Sequence, residues 1–103
     1  MLTNSPVKFT NHAFDKVMER LSMDPDEIAA LLHWNYAVKI GEKKGSNCIF
    51  RLFYSSDDSQ FFVALQDEKE NVVVTILPAD YFENLNWKIP QSFFAEAEQL
   101  VSG

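Results

Sequence analysis

The sequence predicts an α+β domain, and three observations carry that expectation. Residues 11 to 32 hold apolar side chains at helical spacing with a strong helix-start signal in the middle. Residues 34 to 77 change to a period of two, interrupted by short polar turns. A second helical stripe then closes the chain in PQSFFAEAEQLV. The expected architecture is a short N-terminal strand and a helix pair packed on a four-stranded antiparallel meander, with a C-terminal helix. With 103 residues, 47% of them hydrophobic and nine of them Phe, the chain can bury one core and is too short for two.

The first element is PVKFT, 6 to 10, where Val7 and Phe9 face one way and Lys8 the other, an edge strand in which Pro6 is tolerated. From Asn11, a fair N-cap, the residues Ala13, Phe14, Val17, Met18 and Leu21 form one stripe of an amphipathic helix ending near Leu21. In SMDPDEIAALL, Asp24 is an N-cap, Pro25 occupies the first helical position, Glu27 completes a capping box and Met23 can staple onto Ile28. Ile28, Leu31 and Leu32 make its buried stripe.

Beyond His33, Trp34, Tyr36, Val38 and Ile40 alternate with Asn35, Ala37 and Lys39, so a strand is expected up to the hairpin loop GEKKGSN. CIFRLFY, FFVALQ and VVVTIL supply three more, separated by the acidic turns SSDDS and DEKEN. Alternation assigns Phe50, Leu52, Val63, Leu65, Val74 and Ile76 to one face and Ile49, Phe53, Phe62, Ala64, Val73 and Leu77 to the other. A sheet apolar on both faces needs cover on both, from the helix pair and from the stripe Phe93, Phe94, Ala97, Leu100 and Val101; any remainder suggests a ligand cleft or a homodimer. The linker 78 to 89, with Tyr81, Phe82, Leu85 and Trp87, should lie against the domain.

Fifteen acids against nine bases give a net charge of −6, which weakens any whole-molecule attraction for nucleic acid. One cysteine, Cys48, excludes an internal disulfide, and two histidines leave no metal-ligand spacing, so neither a metal nor another cofactor is expected. No apolar run is long enough for a membrane span and the N-terminus has no signal-like segment, so a cytoplasmic protein without a membrane partner is expected.

Strand, helix, helix and meander, together with FTNHAFDKVMERLSMDPDEIAALL and the later VVVTIL, resemble the RelE-like toxin superfamily of toxin–antitoxin systems, and within it small uncharacterised domains with a His-Ala, then Arg helix. Here these elements are His12 and Ala13, Arg20, Asp24 to Glu27, and Thr75. The resemblance covers residues 7 to 77 and leaves 78 to 103 as a C-terminal extension of a single domain. It implies an α+β fold and, in active members, metal-independent endoribonuclease activity. Such cleavage needs an acceptor for the 2′-hydroxyl proton, cations for the phosphate and a donor to the leaving oxygen.

On that resemblance the catalytic candidates are His12 as proton acceptor, Arg51 as the cation interrupting an apolar strand, and Thr75 as its neighbour across the sheet. Arg20, Lys43, Lys44 and Tyr81 are candidates for RNA binding, the last by stacking on a base. Arg20 stands eight residues beyond His12, roughly 12 Å along the helix axis and too far to share one phosphate. Each residue also has a plainer reading: His12 as an exposed helix-start side chain, Arg20 as a helix-end cation, Arg51 as half of a pair with Asp67 or another acid, and the lysines as a solvated turn.

The chain departs from the active pattern in its acidity, its single sheet arginine and its extension past the last strand. A second function class therefore stands beside the first: a noncatalytic accessory or neutralising protein that keeps the fold and meets a basic partner through its acidic surface.

Overall fold

The computed structural model describes residues 7–84 and 88–102. Its element order is β1 (Lys8–Phe9), α1 (Asn11–Arg20), α2 (Pro25–His33), β2 (Val38–Glu42), β3 (Cys48–Ser55), β4 (Gln60–Asp67), β5 (Val72–Pro78), α3 (Ala79–Glu83) and α4 (Gln91–Ser102). The fold is α+β. Its five strands form one mixed sheet in the order β1-β5-β4-β3-β2. The meander β2 to β5 is antiparallel, and β1 joins it in parallel at the β5 edge, Lys8 opposite Val72 and Phe9 opposite Val73. That fifth strand extends the expected four-stranded sheet. Of the expected first strand, Pro6 lies outside the described residues.

Helix α1 starts one residue earlier than its composition suggests. Thr10 is the N-cap in place of Asn11: its hydroxyl oxygen accepts from the Ala13 N–H at 3.0 Å and its hydroxyl donates to the Val74 carbonyl at 3.0 Å. One side chain thus caps the helix and ties it to the sheet edge. In α2, Pro25 takes the first turn and the Glu27 carboxylate accepts from the Asp24 N–H at 3.0 Å, as the capping box requires.

Helices cover both sheet faces, so β3, β4 and β5 are apolar on two sides for a reason. Helices α1 and α2 bury Ala13, Val17, Ile28 and Leu32 against Phe53, Phe62, Ala64, Val73 and Ile76. The other face packs Val38, Leu52 and Val63 against Ala79, Phe82, Ile89 and Ala97, with Phe93, Phe94 and Leu100 at its margin. The linker lies against the domain through Phe82 and Ile89; Leu85 and Trp87 lie outside the described residues.

Two expectations fail for identifiable reasons. Strand β2 begins at Val38, because Asn35 takes a left-handed conformation (φ 63°) that breaks the extended run, leaving Trp34 and Tyr36 in a turn. On β5, Leu65 opposes Thr75 and Gln66 opposes Val73, so Val74 is the extra residue of a β-bulge. One residue of slip reverses the faces beyond it: Ile76, not Leu77, joins the core under α1 and α2, while Thr75 and Leu77 turn to the α3 side.

Candidate functional site

The bulge decides which candidate residues meet. By alternation and pairing, Phe50, Leu65 and Thr75 lie in one row across β3, β4 and β5, and Arg51, Ala64 and Ile76 lie in the next row on the opposite face. Arg51 and Thr75 are therefore not neighbours, and the expected trio of His12, Arg51 and Thr75 is split by the sheet.

His12 and Thr75 do come together. The His12 Nε2 lies 3.1 Å from the Thr75 Oγ1, at the β5 edge beyond the reach of the two-residue β1, and the imidazole tautomer sets which group donates. Along the same edge, Arg20 Nη1 donates to the Ile76 carbonyl at 2.9 Å. Thr10, His12 and Arg20 thus engage Val74, Thr75 and Ile76 in order, and helix α1 shields an edge that would otherwise present unpaired groups. Arg20 has a structural partner rather than a place beside His12. Lys16, between them on the helix, sits 3.5 Å from Glu19.

Thr75 also lines a cleft of about 550 Å³ with Glu42, Lys43, Lys44, Phe50, Leu65, Leu77 and Phe82. The floor is apolar, and Phe50 and Phe82 meet at 5.0 Å between ring centroids. The two lysines are held at the rim by the hairpin loop: the Lys43 N–H donates to Cys48, and the Lys43 carbonyl accepts from the Ser46 N–H and hydroxyl. Gly45, at φ 77°, supplies the left-handed residue this turn needs. Glu42 is paired with Lys39 at 2.9 Å, and that hydrogen bond holds its carboxyl below the usual carboxylate range. Phe82 lines the cleft, while its neighbour Tyr81 is exposed on α3.

Arg51 is the buried counterpart on the other face, 8% exposed. Its Nη2 donates to Asn35 Oδ1 at 2.7 Å and to the Ala37 carbonyl at 3.1 Å, and its Nη1 makes a longer contact of 3.4 Å to Gln66 Oε1. Gln66 in turn donates from Nε2 to Asn71 Oδ1 at 3.0 Å. The expected acid partner is replaced by amide and carbonyl oxygens. Burial pushes the guanidinium below its ordinary pKa, and Glu68 partly offsets that. Its Nε has no hydrogen-bond acceptor among the described residues. A cation so enclosed cannot reach a phosphate on the Thr75 face.

The partners that sequence reasoning missed, Asn35 and Gln66, are polar residues inside otherwise alternating apolar runs. An Asn between Trp34 and Tyr36 was the available signal, since Asn tolerates the left-handed region and can end a strand. Among the described residues, no group of three or more His, Cys, Asp or Glu is placed to hold a metal ion, and no helix is long and apolar enough to cross a membrane. No protein-family model matches the chain, and no curated protein or solved structure matches it.

Proposed function

We propose that this protein is a noncatalytic interaction domain of RelE-like architecture that meets a basic partner. The observation that carries the reading is the burial of Arg51. The chemistry of metal-free RNA cleavage needs a cation where phosphate charge builds up, and the lone sheet arginine lies on the face opposite Thr75, engaged with Asn35, Ala37 and Gln66. The net charge of −6 adds support, since it speeds encounter with a basic protein and opposes a polyanion. The order β1, α1, α2 and then a meander, one of the features on which the resemblance rests, supports the architectural half of the proposal.

A second reading, a metal-independent endoribonuclease, is favoured by one observation: the His12 and Thr75 pair stands at a cleft whose rim carries Lys43 and Lys44. Mapping new RNA ends in a translating cell-free extract separates the two. The noncatalytic reading expects no new ends with the purified protein at any concentration. New ends that disappear with His12→Ala would overturn it and establish the ribonuclease.

A further inference from the structure

The most exposed aromatic side chain of the described residues is Trp34, 66% exposed, and Tyr36 two residues on is 46% exposed. With Met23, Glu27, Ala30 and Leu31 they line a groove of about 310 Å³ on the α2 side of the molecule. That is the low end of the range of roughly 300–1,000 Å³ for ligand pockets, a size suited to one long side chain. Among the described residues, Glu27 is the only charged one lining it, and no cation does.

The turn that presents these rings is fixed from beneath. The Trp34, Asn35 and Tyr36 N–H groups donate to the carbonyls of Ala30, Leu32 and Leu31, so the chain stays bound to the end of α2. Asn35 holds its left-handed backbone between the two aromatics, and its side chain accepts from Arg51 at 2.7 Å. Arg51 also grips the Ala37 carbonyl on the far side of Tyr36. The His33 ring packs edge-on against Trp34, with centroids 4.9 Å apart. A turn with so many ties exposes two large aromatic rings without the ordering cost a loose loop would bear on binding.

We infer that this groove is a recognition site for an arginine side chain of a basic polypeptide. Trp and Tyr faces attract a guanidinium through their ring quadrupoles, and a carboxylate accepts its hydrogen bonds in a planar fork. Glu27 is anchored for that task because its Oε1 already accepts from the Asp24 N–H, which fixes the carboxylate at the start of α2. The apolar walls given by Met23, Ala30 and Leu31 suit the aliphatic stem. Charge and ring chemistry thus select one occupant, and the acidic character of the whole chain favours the same one. Arg51 is a positioning residue here: it holds Asn35 and touches no ligand. The inference rests on the proposed interaction function for its biological use, while the binding chemistry is testable separately.

The test is an NMR titration of the full chain at low salt with the capped peptide acetyl-Gly-Gly-Arg-Gly-Gly-amide, alongside the same peptide carrying norleucine or glutamate in place of arginine. Saturable shifts centred on the Trp34 indole N–H and the Tyr36 ring with the arginine peptide only are expected. Trp34→Ala should abolish them. Glu27→Gln, which keeps the capping geometry and removes the charge, should weaken binding roughly threefold to tenfold. Asn35→Gly keeps the left-handed backbone and removes the Arg51 contact, so it should weaken binding and raise fast motion of the Trp34 indole while the rest of the spectrum stays native. Equal shifts with norleucine, shifts spread over carboxylates elsewhere, or binding unchanged in Trp34→Ala would overturn the groove and leave the interaction function standing. New RNA ends in the cell-free extract would remove that function and leave the groove intact.

Discussion

Arg20 on α1 and Arg51 on β3 show how differently one side chain is used at an edge and at a centre. Arg20 lies half-buried at the end of α1 and sends one hydrogen bond to the last open stretch of β5. Arg51 is enclosed between β2, β4 and the turn after α2, where it satisfies the buried oxygens of Ala37 and Gln66 and reaches Asn35 Oδ1 in the exposed turn. An edge cation seals a boundary; a buried one organises a loop. Neither is placed where His12 and Thr75 could use it.

Arg51→Ala should separate the two most sharply. It leaves buried acceptors unpaired and opens a cavity, so a loss of about 2–4 kcal/mol is expected, read as a lower urea midpoint at unchanged slope. For a chain of this size that corresponds to a fall in thermal midpoint of about 10 °C or more. Arg20→Ala, by the same comparison, removes one charge-assisted hydrogen bond at a partly buried edge and should cost about 1–2 kcal/mol. A larger loss for Arg20 than for Arg51 would reverse the assignment of edge and centre.

A smaller effect belongs to the turn between β3 and β4. Burial pushes the Asp58 carboxyl up, and hydrogen bonds from the Ser22 N–H, the Ser55 hydroxyl and the Ser22 hydroxyl outweigh it and hold the group below its ordinary value. A depressed carboxylate contributes stability above its unfolded pKa and loses it as the pH falls through the folded one. Asp58→Asn should therefore lower stability near neutrality and flatten its decline below about pH 4, the ordinary carboxylate range, in acid-titrated urea curves. The smallest change is expected for His12→Ala. It removes one exposed hydrogen bond to Thr75, and the stability shift should stay within about 0.5 kcal/mol.

Much of this scaffold was legible in local sequence signals, because helix periodicity, the capping box and alternating strands are dictated within a few residues. DPDEIAALL reads as a helix start wherever it is placed, and the C-terminal stripe around Ala97 finds its sheet. What stayed hidden depends on distant partners. The parallel pairing of β1 with β5 joins residues more than sixty positions apart. The bulge at Val74 leaves no mark in VVVTIL, where every residue but Thr75 is apolar, yet it exchanges the faces of Ile76 and Leu77. The candidate site was half legible for the same reason: Thr75, which His12 contacts, and the lysines of the hairpin were singled out and line one cleft, whereas Arg51 looked available only because its partners Asn35 and Gln66 lie in other elements.

The central claim is that Arg51 is closed off inside the protein, and NMR of its guanidinium tests it most directly. Slow proton exchange with water, hindered rotation of the guanidinium and no response to added single-stranded RNA are the predicted results. Rapid exchange like that of a solvated arginine, together with shifts on RNA addition, would contradict the account and return Arg51 to a phosphate-binding role.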